Sequence, residues 1–234
     1  MKRRNFSSAC LALPAGLVLL ATRHAHALSL GDLSNADASA GLKTVLEKGA
    51  TVAVGLLGRT DGFLGNPRVR IPLPGYLESG AKMLRMLGQG GRIDELVTAM
   101  NRAAEQAVPA SKDLLVAAVR GMTVSDAKGI LAGGETSVTQ FFAGKTRAPL
   151  TERFLPIVNA ATARVRLAEK YNQIAAKAQG LGLVKSEDAS LQRYVTGKSL
   201  DGLYLVIGDE ERKIRQDPLG SGSEILRKVF GAMR

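Results

Sequence analysis

The sequence predicts an all-α fold: one multi-helix domain over residues 28–234, interrupted by a single long extended loop rich in Pro, Gly and Arg at about 59–74. Three observations lead there. Apolar residues recur three and four positions apart almost throughout, which puts them on one face of successive helices. The one plainly extended stretch, RTDGFLGNPRVRIPLP, holds Pro67, Pro72 and Pro74, which forbid a central strand because proline has no N–H for a sheet ladder. No repeat of 20 to 50 residues and no linker divides the 234 residues, a length that can bury a large core.

The first predicted helix carries Leu42, Val45, Leu46, Ala53, Leu56 and Leu57 on one face, with Asp37 as N-cap and Gly58 as stop. Gly88-Gln-Gly-Gly91 ends an amphipathic helix and follows no strand. Ile93, Leu96, Val97, Met100, Ala104 and Ala107 mark the next helix, and Pro109 opens another that ends at Gly121. Thr123-Val-Ser-Asp126 reads as a capping box for a short helix to Leu131. Leu150, Phe154, Ile157, Val158, Ala161, Val165 and Ala168 predict the longest helix at 149–179, with Pro149 in its first turn and Pro156 kinking or dividing it. Residues 188–216 read as one or two helices. Leu203 to Ile207 alone would suit a buried strand, but the charged run that follows without a turn makes the stretch helical. A short helix from about Ser223 completes the prediction.

The first 27 residues read as an export label. Lys2, Arg3 and Arg4 precede an apolar stretch of about 12 residues, and Ala25-His26-Ala27 is a small-x-small cleavage signal. A membrane span needs about 18 apolar residues or more, so a signal peptide is the reading and the mature chain has no transmembrane segment. Arg3-Arg4-Asn5-Phe6 also fits the twin-arginine pattern, which leaves both export routes open. Cys10 lacks the Leu three positions before it that lipid attachment uses. The expected location is the periplasm.

Removing that label changes the available chemistry. Residues 1–27 hold four basic residues and no acid, so the net charge falls from +11 to +7. They also hold Cys10, His24 and His26, the only Cys and His of the chain. Thiol nucleophiles, Ser-His-Asp triads, His or Cys zinc sites, haem with those axial ligands and thiolate iron–sulfur clusters are thereby excluded. No cofactor and no metal are expected. Gly129-Ile-Leu-Ala-Gly-Gly134-Glu135-Thr136 has the glycine spacing of a phosphate loop, but Glu135 stands where the lysine is required.

Five strings carry a family resemblance: DGFLGNPRVRIPLP (61–74), MNRAAEQAVP (100–109), MTVSDAKGIL (122–131), LTERFLPIV (150–158) and YVTGKSLDGLYLVIGDEERKIRQDP (194–218). Together they resemble an exported bacterial family known as domain of unknown function 4197, over roughly residues 40–232. The resemblance implies a mostly helical protein of the Gram-negative cell envelope. It implies no catalytic or ligand-binding residues.

The candidate site residues therefore come from the sequence alone. Arg68 and Arg70 alternate on an extended segment and share a face, where they would hold a phosphate or carboxylate, or pin the loop through salt bridges. Asn101 and Glu105 lie one helical turn apart, as do Arg102 and Gln106, a polar cluster amid Ala that calls for a polar partner such as the Arg68 and Arg70 loop. Asp201 sits among Leu200, Gly202, Leu203 and Tyr204, where apolar surroundings would raise its pKa and suit it to acid catalysis. The run Asp209 to Arg215 reads as a solvated helix face with pairs such as Asp209 with Lys213 and Glu211 with Arg215.

Three functions follow as expectations. The first is a non-enzymatic, soluble periplasmic protein that binds a lipid-like or amphiphilic ligand, with Arg68 and Arg70 near its headgroup, or serves as an envelope accessory. The second is a hydrolase or lyase using Glu105 and Asp201 as carboxylate acid and base. The third is a protein-interaction module using the 59–74 loop. Basic residues are scattered among acids with few aromatics, so no nucleic acid partner is expected, while attraction to anionic lipid fits the charge.

Overall fold

The computed structural model describes residues 35–134, 136–180, 182 and 190–216. The predicted signal peptide, Glu135 and the predicted helix from Ser223 lie outside these described residues. In chain order the helices are α1 (Asn35–Leu57), α2 (Gly75–Met86), α3 (Gly90–Ala107), α4 (Lys112–Arg120), α5 (Val124–Ala132), α6 (Ser137–Thr162), α7 (Arg166–Gly180) and α8 (Leu191–Gln216). A single 3-10 turn, Val108–Ser111, links α3 to α4, and no strand occurs among the described residues. The chain is all-α, as its periodicity requires.

The centre of the fold is α8, which packs most extensively on α6 and α1 and also meets α3. Leu191, Val195, Leu200, Leu203, Tyr204 and Ile207 are buried along it, and Leu203 to Ile207 is helix. Residues 188–216 were expected to hold one or two helices, and a single one runs from Leu191. Around this core α3 packs on α6, α4 and α5 close against α1 and α6, and α2 rests on α3.

Local signals set several element ends. Gly58 follows α1 directly, but the chain is already helical at Asn35, so Asp37 lies within the helix instead of capping it. At the end of α2, Gln89 N–H donates to Leu84 O at 2.8 Å and Gly88 N–H to Arg85 O at 3.1 Å, with Gly88 at φ 73°: a Schellman stop, as the glycine run predicts. The Thr123 capping box is present, with reciprocal bonds of 3.0 Å between Thr123 and Asp126. The backbone N–H and then the hydroxyl of Thr123 hold the Asp126 carboxyl below its usual value. Gly129, first of the phosphate-loop-like glycines, lies inside α5.

The prolines of α6 behave otherwise than predicted. The helix begins at Ser137 and carries both Pro149 and Pro156 in its interior. Those prolines remove the donors that would pair with the carbonyls of Lys145 and Glu152, and both residues are exposed. Packing outweighs the lost bonds. Val138, Phe142, Thr146, Leu150, Phe154, Val158 and Thr162 are all buried at a strict four-residue interval, a stripe that winds slowly round the helix to meet different neighbours in turn. The predicted 149–179 helix is instead divided after Thr162, where a turn brings Val165, Ala168, Tyr171 and Ala175 of the next segment back to the core.

Candidate functional site

Between α1 and α2 the chain crosses the body of the molecule without regular structure, and two helices hold it there. From α3, Glu105 reaches up beneath it. The N–H groups of Phe63 and Leu64 both donate to Glu105 Oε1 at 3.0 Å, while Arg102 donates to Glu105 Oε2 at 2.7 Å and to Asp61 at 2.8 Å. The loop wraps the carboxylate as a backbone nest wraps an anion, with Asp61 at φ 65°. These bonds to Glu105 and then Asp61 raise the Arg102 pKa further. One turn earlier, Asn101 accepts from Ile71 N–H at 2.8 Å and donates to Ile71 O at 3.0 Å and Val97 O at 2.8 Å. Its carboxamide pairs with Ile71 as a neighbouring strand would.

The second anchor is α8. Phe63, Val69 and Ile71 turn inward and are buried. A Cβ on Gly202 would lie 2.9 Å from the Phe63 ring and 3.2 Å from Val69, so this close approach of loop to helix requires glycine. Tyr194 donates to Pro72 O at 3.0 Å, and Arg68 bonds Asp209, which also receives Arg212.

Several expectations change here. The 66–70 segment is a turn and not extended backbone, because Asn66 O accepts from Val69 and Arg70 N–H while its side chain accepts from Arg68 N–H. An Asn-Pro pair favours this. The Asn101 and Glu105 cluster does meet the loop, but through backbone groups, and Gln106 is exposed while Arg102 turns to Glu105. Asp201 is half-exposed and paired with Arg147 at 2.6 Å, not enclosed in apolar surroundings. Asp209 and Glu211 are buried, so their run is no solvated face; Lys213 pairs with Glu210, and the Arg215 side chain lies outside the described set. Burial by itself raises the Asp209 pKa, but the hydrogen bonds from Arg68 and Arg212 more than offset it and the net shift is downward. Its clasp on the loop therefore holds in full above the ordinary value of 3.8 and is lost as the pH falls through the lower folded value. The melting-temperature difference between wild type and Asp209→Asn is expected to be clear at neutral pH and to shrink in acid below that point; a difference independent of pH would contradict it.

The anchored loop forms one wall of an open groove of about 740 Å³. Arg68 and Arg70 stand on the loop side, Lys198 and Asp201 on α8, and Arg147 on α6. Arg147 lies 5.3 Å from the Tyr204 ring centre and Lys198 lies 5.9 Å from that of Tyr194. Burial pushes the Tyr204 hydroxyl up in pKa, and it shares a 2.9 Å hydrogen bond with Thr146, so it stays protonated. Arg68 and Arg147 are paired with Asp209 and Asp201. Arg70 and Lys198 have no ion pair among the described residues. Of the residues singled out by sequence, Arg68, Arg70 and Asp201 line it; Asn101, Arg102 and Glu105 do not, and they hold its wall from below. Glu105 and Asp201 belong to separate hydrogen-bond systems.

The groove shares Arg70, Pro72, Leu73 and Glu78 with a neighbouring recess of about 400 Å³, which in turn shares Leu73 and Ala81 with an apolar pocket of about 290 Å³. Leu77, Leu84, Ile93, Leu96 and Leu167 line that pocket between α2, α3 and α7. Sequence reasoning missed Arg147, Lys198 and the pocket. Tyr194, Lys198 and Asp201 do recur at helical spacing, which marks a polar face of α8; nothing local marks Arg147. Among the described residues there is no His or Cys and no acidic cluster able to hold a metal ion.

A family model described as Protein of unknown function (DUF4197) matches residues 32–231. No curated protein and no solved structure matches the chain.

Proposed function

The chain belongs to the family of Protein of unknown function (DUF4197), and from that premise, which brings no activity with it, we propose that it is a non-enzymatic periplasmic protein that binds an anionic amphiphile. The observation that carries the reading is the adjacency of two environments. Arg70 and Lys198 offer charge-assisted hydrogen bonds to a phosphate or carboxylate headgroup in the groove, and the apolar pocket that shares Leu73 with it offers a place for the hydrocarbon chain. Export is supported by the basic start, the short apolar stretch and Ala25-His26-Ala27.

Dodecyl phosphate, kept below the concentration at which it forms micelles, is the test ligand. Calorimetric titration is expected to show binding by the wild type and a loss of roughly tenfold or more in Arg70→Ala/Lys198→Ala, since a hydrogen bond to a charged group contributes about 1.5 to 3 kcal/mol. Inorganic phosphate, which lacks the chain, is expected to bind far more weakly. Equal affinity of wild type and double variant for dodecyl phosphate, or no binding at all, would sink the reading.

A further inference from the structure

The three most exposed large apolar side chains of the described residues lie within five positions: Met83, Met86 and Leu87, at 60%, 81% and 67% exposure. They cluster at the turn from α2 into α3. Ile174 of α7 is also exposed, and with Met83 it lines the apolar pocket, so these two side chains form the pocket's outer rim. Residues 81–92, AKMLRMLGQGGR, hold three basic residues and no acid, and the exposed acids Asp94 and Glu95 follow on α3. Arg85 is tied to Asp94 at 2.8 Å, while Lys82 and Arg92 are exposed and make no ion pair among the described residues. Lys170, on α7 at the same pocket, is likewise exposed and unpaired there.

Protruding apolar side chains with unpaired cations nearby have a specific physical meaning. Alone in water such a cluster is unfavourable, whereas at the surface of an anionic bilayer the Met and Leu side chains enter the acyl boundary and the cations meet headgroup phosphates. No described helix is long and apolar enough to cross a membrane, so the contact is peripheral. We infer that the α2–α3 tip is a docking surface for an anionic lipid bilayer, oriented so that the mouth of the apolar pocket opens toward the membrane. The charge of the tip argues for this occupant over a second copy of the chain, whose tip would present the same unpaired cations. The inference rests on the amphiphile reading only for what enters the pocket; docking itself stands on the tip.

Cosedimentation with vesicles reads the docking directly. The wild-type chain is expected to bind vesicles of phosphatidylglycerol and phosphatidylcholine in equal parts, to bind pure phosphatidylcholine weakly, and to lose roughly tenfold or more in affinity in Met86→Asp/Leu87→Asp. Both side chains are solvated, so the variant should keep its fold, and its melting curve checks this. The chain contains no Trp, so Leu87→Trp supplies a single reporter whose emission should shift to the blue with the mixed vesicles. Unchanged vesicle binding in the double variant would overturn the inference, as would a Trp emission that does not move. So would a dimer, seen by ultracentrifugation, that the double variant abolishes while vesicle binding is unaltered. Met86 and Leu87 do not line the pocket, so Met86→Asp/Leu87→Asp should keep its affinity for dodecyl phosphate, and Arg70→Ala/Lys198→Ala should lose it. Failure of the docking and failure of the groove are thus read separately.

Discussion

Replacing Glu105 with Ala is expected to lower stability by about 2 to 6 kcal/mol, the cost of leaving two backbone donors without their acceptor. The side chain is buried, and both of its oxygens are engaged. Its loss leaves the N–H groups of Phe63 and Leu64 without an acceptor beneath a packed loop, and unmatched buried donors cost about 1 to 3 kcal/mol each. Glu105→Gln is expected to be milder: the amide oxygen still accepts from the two N–H groups, and only the charge opposite Arg102 disappears. Urea unfolding gives both values. Amide exchange should also show Phe63 and Leu64 opening in Glu105→Ala before the middle of α8. If Glu105→Ala unfolds within about 0.5 kcal/mol of the wild type, the range for an ordinary surface change, the loop is not held in this way.

Truncating Phe63 to Ala is expected to have a similar effect, about 3 to 5 kcal/mol, because the ring is fully buried and the surroundings can collapse only in part. Its ring rests against Gly202, which has no side chain to move into the space. The two sites are coupled, since Glu105 holds the N–H of the residue whose ring α8 accommodates. Glu105→Ala and Phe63→Ala combined should therefore destabilise by less than the sum of the single changes. Strict additivity in a double-mutant cycle would mean that the loop is held by two independent attachments. Either single variant should also weaken dodecyl phosphate binding, because the loop is the groove's wall.

These residues also mark how far the sequence could be read. Asn101 and Glu105 stand out on α3 because polar residues interrupt a run of Ala, and that local contrast correctly calls for a polar partner. It does not say that the partner is backbone. The N–H groups of Phe63, Leu64 and Ile71 are invisible in sequence, since every residue but proline has one. Arg68 and Arg70 look equivalent two positions apart, yet one is clasped by Asp209 and the other faces the groove unpaired. Asp209 lies 141 positions away, and no local pattern connects the two. The prolines of α6 mislead for a related reason: their local effect is to disfavour helix interiors, whereas the four-residue stripe of buried side chains on both sides of them outweighs it.

The sequence by itself determined what repeats or acts locally: the all-α class through its periodicity, the Thr123 capping box, the glycine stop after α2, the ordered Pro/Gly/Arg loop and the family. Each depends on neighbours within about one or two helical turns, where spacing alone fixes which side chains meet. Only the tertiary structure decided the geometry of the candidate site. It set Arg70 and Lys198, far apart in the chain, on one groove, placed Leu73 between that groove and an apolar pocket, and left Met86 and Leu87 in solvent. Those outcomes depend on how α2, α3, α6, α7 and α8 cross. Helix crossings follow from packing over the whole core, which no short segment encodes.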